Sequence, residues 1–167
     1  GIFVTMINMT SAGPKMSQLI QVLAGGNLLL ALFLTMILCI ILGCALPAVL
    51  AYMVVALVVA PGMLDLGVPI VATHLFCFYF SFISSVTPPI AGAAMGAAKI
   101  AEASFMKTGW EAFKFTLPFF VVPYFAIFNP VILLQPQPFL EAALALLTLL
   151  ISCASIAIAT WGYLWGP

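Results

Sequence analysis

Apolar stretches long enough to cross a bilayer recur along this chain with almost no charge between them. About twenty such residues, wound as a helix, span the roughly 30 Å of hydrocarbon. Lipid offers no hydrogen bonds, so the backbone there must pair with itself, and a helix does this within one segment. Only 5% of the 167 residues are charged, against about 25% in soluble domains. The patterning predicts an all-α, polytopic membrane protein embedded in a lipid bilayer. All four cationic side chains are lysines, balanced by four carboxylates, and the zero net charge argues against a nucleic-acid partner. Gly1 opens the chain with no charged leader before the first apolar run, which reads as a piece of a longer protein. Cys39, Cys44, Cys77 and Cys153 sit in apolar runs without CxxC spacing, as inert buried thiols do.

Punctuation divides the chain into six parts. Residues 1–26 read as the end of a spanning helix followed by a short interfacial arm helix. Within that arm, Met16, Leu19, Ile20 and Leu23 fall on one face and Ser17, Gln18 and Gln21 on another. Residues 27–66 hold two apolar arms, 27–42 and 48–64, joined by the corner "GCALP". Arms of that length reach roughly 25 Å. They form either a re-entrant hairpin or two spans with a tight turn outside the membrane. Residues 67–98 are one long apolar stretch interrupted by Pro88-Pro89, a broken transmembrane helix. Residues 99–114 collect five of the eight charges and form a second interfacial helix. Its Met106, Trp110 and Phe113 oppose Lys107, Glu111 and Lys114, and Thr108 with Glu111 has the spacing of a capping box. Residues 115–134 make a scaffold span, "QPQP" a turn, and 135–167 a last span leaving through Trp161, Tyr163 and Trp165. Lys99, Lys107 and Lys114 put the second interfacial helix on the cytoplasmic side by the positive-inside rule, against Lys15 alone on the other face.

The two interruptions carry the chemistry. Unwound backbone survives in hydrocarbon only beside protein or a wet cavity. The breaks at 43–47 and 85–89 are therefore expected to share one. Pro88 and Pro89 have no N–H, so carbonyls of the preceding turn lose their partners. Those oxygens, with the hydroxyls of Ser84, Ser85 and Thr87, are hard ligands suited to Na⁺. The half-helix beginning near Ile90 points its positive end back at the gap and favours a carboxylate there. Plainer readings exist for the neighbours. Gly92 and Gly96, with Ala93 and Ala97, read as a close-packing face. His74 reads as a hydrogen-bonded core or interface residue, and Asn27 and Asn129 as helix caps. A non-transporting scaffold whose prolines only bend helices is the alternative function. An intramembrane enzyme using His74 and a cysteine ranks last, because no acid–base or nucleophile motif accompanies them.

"LAGGNLLLALFLTMILCIILGCALPAVLAY", "LGVPIVATHLFCFYFSFISSVTPPIAGAA" and "MKTGWEAFKFTLPFFVVPYFAIFNPVILL" stand in this order in the chain. With them the sequence resembles the large membrane subunit of tripartite ATP-independent periplasmic (TRAP) transporters, within the ion transporter superfamily. It is closest to the fused permeases, and the tail from Gln135 resembles their extra C-terminal span. The resemblance implies the second of two inverted repeats, and two arms linking a mobile transport domain to a fixed scaffold. It implies sodium-driven import of organic acid anions across a prokaryotic inner membrane by an elevator motion. It also implies three partners: a periplasmic substrate-binding protein, the first repeat, and a small membrane subunit. No cofactor is expected beyond Na⁺ as coupling ion. Sodium ligands carried over are Gly43, Cys44, Ala45, Ser84, Ser85 and Thr87, mostly through backbone carbonyls. The substrate falls to Pro47, Thr87, Pro88, Pro89, Ile90, Ala91 and Gly92. The family corner reads Gly-Met-Gly-Leu-Pro-Thr-Thr, whereas "GCALPAV" here has Ala45, Ala48 and Val49 in place of a glycine and two hydroxyl residues. Either the carbonyls of residues 43–45 suffice, or one ion site is weakened.

Overall fold

The computed structural model describes residues 2–129, 133 and 138–162. Among these the regular structure is helical: α1 (Ile2–Met9), α2 (Ala12–Ala24), α3 (Leu28–Ala45), α4 (Ala48–Asp65), α5 (Ile70–Ile83), α6 (Gly92–Ile100), α7 (Phe105–Thr116), α8 (Val121–Phe128) and α9 (Phe139–Trp161). Four helical runs are long and apolar enough to cross a membrane: α3, α4, α9, and the continuous run Phe105–Phe128. Tyr163, Trp165 and residues 135–137 of "QPQP" lie outside the described residues.

The hairpin arms α3 and α4 are 18 residues each, or about 27 Å. They are longer than the apolar periodicity predicts because Gly43, Cys44 and Ala45 stay helical, and only Leu46 and Pro47 separate the arms. Asn27 caps α3, its side chain accepting from the Leu30 N–H at 3.3 Å. Pro47 stands immediately before α4, where a missing N–H costs nothing.

Small residues let α3 and α5 approach. Thr35, Cys39 and Gly43 repeat every fourth position on α3, and Thr73, Cys77 and Ser81 do so on α5. All of these but Gly43, which is half-buried, are fully buried. Cys39 and Cys77 are neighbours, and Gly43 meets Ser81 and Ser84. Both helices therefore run toward the same end. Short polar residues are the usual means of close helix contact in lipid, where burying apolar surface gives no drive. Aromatic packing fixes the next layer. Phe76 and Phe80 of α5 meet Tyr124 of α8 edge-on at 5.2 and 6.0 Å, and Phe80 meets Phe120 at 5.4 Å.

Helix α2 buries part of each of its two faces. On the apolar face Ile20 is buried and Met16 half-buried, while Leu19 and Leu23 are exposed. On the polar face Gln18 is exposed, but Ser17 is buried and donates to the Val58 carbonyl of α4. Gln21 donates to Asp65 Oδ2 at 3.0 Å and to the Gly62 carbonyl at 3.4 Å. In lipid this is the economical arrangement, since buried donors find carbonyls and apolar side chains find hydrocarbon. Gly62 makes the approach possible, as a Cβ there would stand 3.2 Å from that of Ser17.

Two further expectations are corrected. The Thr108–Glu111 capping box does not form. Helix α7 starts after Ser104, Thr108 donates to the Ser104 carbonyl at 3.1 Å, and Glu111 pairs with Lys114 at 2.8 Å. The face of Gly92 and Gly96 packs on nothing among the described residues, since both glycines look into open space. Helix α7 passes into the continuous run Phe105–Phe128. There Pro118 and Pro123 remove two N–H groups, and the helix tightens to a 3₁₀ turn over Leu117–Phe120.

Candidate functional site

The proline break is short and almost fully accounted for. Helix α5 ends in a 3₁₀ turn, Ser84–Val86, and the chain re-enters a helix at Gly92. The Pro88–Pro89 peptide bond is cis. Three hydroxyls turn back onto the end of the helix. Ser84 donates to the Ser81 carbonyl at 2.6 Å, Ser85 to that of Phe82 at 2.7 Å, and Thr87 to that of Ile83 at 3.0 Å. Each hydroxyl has thereby spent its only proton, and what remains on its oxygen are lone pairs. Such an oxygen accepts a donor or ligates a cation.

The hairpin corner meets this break directly. A Cβ on Gly43 would lie 2.7 Å from Ser84 Cβ, closer still to Ser84 Oγ, and 3.1 Å from the Ser81 carbonyl. Only a glycine allows that contact. Corner and break together line one cavity of about 290 Å³, bounded by Gly43, Cys44, Ala45, Pro47, Ser84, Ser85, Ile90 and Gly92 among others. The last carbonyls of α3 belong to Gly43, Cys44 and Ala45 and have no intrahelical N–H ahead of them, because the helix stops and Pro47 offers none. They are free because a helix ends there, not because the backbone unwinds.

Four helix ends face this cavity, two of each sign. The C-terminal ends of α3 and α5 bring partial negative charge, and the N-termini of α4, at Ala48, and α6, at Gly92, partial positive charge. A cation at the negative ends and a carboxylate at the positive ends are the complementary pair.

Not every expected residue lies here. Pro88 and Ala91 turn the other way, onto α7. A Cβ on Gly109 would come 3.4 Å from Ala91 Cβ and 3.7 Å from Pro88 Cγ. Pro89 is exposed and Thr87 is buried, and neither lines the cavity. Pro88 and Ala91 thus hold the break against α7, while Ile90 and Gly92 are left to face the hairpin.

Other features were not anticipated. Ala91 adopts the left-handed region at φ 35°, which costs a residue with a Cβ roughly 1–2 kcal/mol. Nothing in an alanine announces that. Thr73 Oγ1 and Ser81 Oγ are buried without a hydrogen-bond partner; the four-residue spacing with Cys77 was the available signal. His74 is half-buried and hydrogen-bonded through Nδ1 to the Tyr52 hydroxyl at 3.1 Å, away from the cavity.

Compared with known families, residues 1–132 match the model of the tripartite ATP-independent periplasmic transporter, DctM component. Comparisons with curated proteins and with solved structures return no match.

Proposed function

The chain belongs to the DctM family of TRAP transporter membrane components, and on that footing we propose that it is the sodium-coupled half of an organic-acid importer. The protein is a multi-pass membrane permease component. In our reading a periplasmic substrate-binding protein delivers an organic acid anion to it at a prokaryotic inner membrane. The first repeat and the small membrane subunit complete the pathway, and the transport domain slides as an elevator.

One observation carries the reading: the two breaks line the same cavity, with Gly43 seated on Ser84. Na⁺ would be held by the carbonyls of Gly43, Cys44 and Ala45 and by the proton-spent oxygens of Ser84 and Ser85. Thr87 supports them by holding the Ile83 carbonyl. The substrate carboxylate would sit at the Gly92 end, against Ile90 and Pro47. A bound cation there offsets the anion's charge, which couples the two ligands electrostatically in a medium of low dielectric. The alanines at positions 45 and 48 cost the corner little in this scheme, because its ligands are main-chain oxygens.

The test uses the whole permease in proteoliposomes with its substrate-binding protein. Uptake of labelled dicarboxylates, 2-oxo acids and sialic acids is followed against external sodium. At least one class should accumulate only with an inward sodium gradient. Ser85→Ala should shift the sodium curve to several-fold higher concentration at unchanged expression, and Thr87→Ala should shift it less. Accumulation that ignores sodium, or identical curves in both variants, would remove these groups from an ion site.

A further inference from the structure

A second cavity lies between the 3₁₀ turn Leu117–Phe120 and α9. It measures about 530 Å³ and is walled by Phe115, Pro118, Phe119, Leu150, Cys153, Ala154, Ala157 and Trp161. Its size falls within the range of small-molecule sites, ~300–1,000 Å³. Its walls are mostly apolar, and the Cys153 thiol donates to the Pro118 carbonyl at 3.4 Å. A ligand here is held mainly by its apolar surface.

The groove has a direction. Phe115 stacks on Trp161 with ring centroids 4.0 Å apart, and Cys153 meets Pro118, so the 3₁₀ turn and α9 run antiparallel. The Trp161 end lies at the last turn of α9, before its Gly162 cap. A tryptophan there marks the membrane–water interface. The other end, at Leu150, points into the hydrocarbon.

Lysines stand at the interfacial end. Residues 107, 111, 114 and 118 share one helical stripe. The floor of the groove at Pro118 therefore continues into Lys114, Glu111 and Lys107. Glu111 neutralises Lys114, while Lys107 is exposed and has no ion-pair partner among the described residues. The stripe keeps one net positive charge directly above an apolar slot.

We infer that this groove holds one acyl chain of an anionic phospholipid, with the headgroup over Lys107 and Lys114 and the tail along Pro118, Ala157 and Ala154. Juxtamembrane lysines attract anionic headgroups by about 1 kcal/mol each, and the slot adds the fixed position that bulk lipid lacks. The site stands beyond the transport cavity and uses a helix, α9, that lies outside the matched residues 1–132.

Trp161 is a built-in reporter. In the full permease every tryptophan other than Trp161, Trp110 and Trp165 among them, is replaced by Phe, and the protein is placed in nanodiscs of phosphatidylcholine. Chain-brominated phosphatidylglycerol or chain-brominated phosphatidylcholine is then titrated in. Trp161 fluorescence should be half-quenched at a several-fold lower mole fraction of the anionic lipid. Lys107→Ala with Lys114→Ala should erase that difference. Ala157→Phe, which fills the slot, should weaken quenching by both lipids, and native mass spectrometry should show it losing a co-purified phospholipid. Equal curves for the two headgroups, indifferent to Ala157→Phe, would make the contact ordinary bulk lipid. No quenching by either lipid would mean that protein covers the groove. Each of these two results overturns the inference.

Discussion

Gly43 is the residue on which most depends. Its missing side chain lets the end of α3 rest on Ser84. Gly43→Ala forces the two apart, and overpacking of this kind costs ~1–3 kcal/mol. Sodium-dependent uptake by that variant should fall at least tenfold, and its melting temperature in detergent should drop. Ser84→Gly in the same chain removes both atoms that clash and should restore part of the melting temperature, a coupling readable by a double-mutant cycle. If the double variant is only the sum of the singles, the contact is not what Gly43 is for. Sequence reading chose Gly43, Ser84 and Ser85 for their chemistry, and the structure gathers them into one cavity. It also chose Pro88 and Ala91, which point elsewhere. The difference is rotational: types and spacing tell that a backbone breaks, but the sense of the turn depends on the left-handed Ala91, to which sequence gives no cue.

Among the helices, α2 is the instructive one. Its amphipathic pattern was legible, but the burial of Ser17 and Gln21 against α4 was not, because the rule that polar faces seek water assumes water. Here carbonyls of α4 take its place. Pro61 interrupts the α4 ladder, and Ser17 and Gln21 supply donors to Val58 and Gly62 nearby. Ser17→Val removes one donor and adds bulk against Gly62, and should lower thermal stability by an amount equivalent to about 1–3 kcal/mol. A stronger statement concerns motion. Ser11 on one side of α2 and Gly25 and Gly26 on the other hold left-handed conformations, so α2 is a rigid rod between two sharp bends. With its donors spent on α4, it should travel with the hairpin. In a background without native cysteines, Ser17→Cys with Gly62→Cys should crosslink under mild oxidation and still transport at more than half the uncrosslinked rate. Loss of transport on crosslinking, restored by reduction, would show that α2 slides on α4.

The molecule as a whole was legible at the level of class, all-α with several helices able to cross a membrane, because lipid leaves so few options. Placement relative to the bilayer rests on charge alone. The positive-inside rule puts the face of Lys99, Lys107 and Lys114 in the cytoplasm as an expectation; on it, cysteines introduced at Glu102 and Lys107 should react with impermeant thiol reagents only in inside-out vesicles. Labelling from the outside would invert the orientation. What no periodicity foretold was how little slack the hairpin has. Two residues join its arms, and one of them is a proline. A door with no flexible lip can only swing as a plank, so whatever uncovers the cavity must displace long stiff levers together, and the cost of opening will be spread along their full length instead of gathered at the tip.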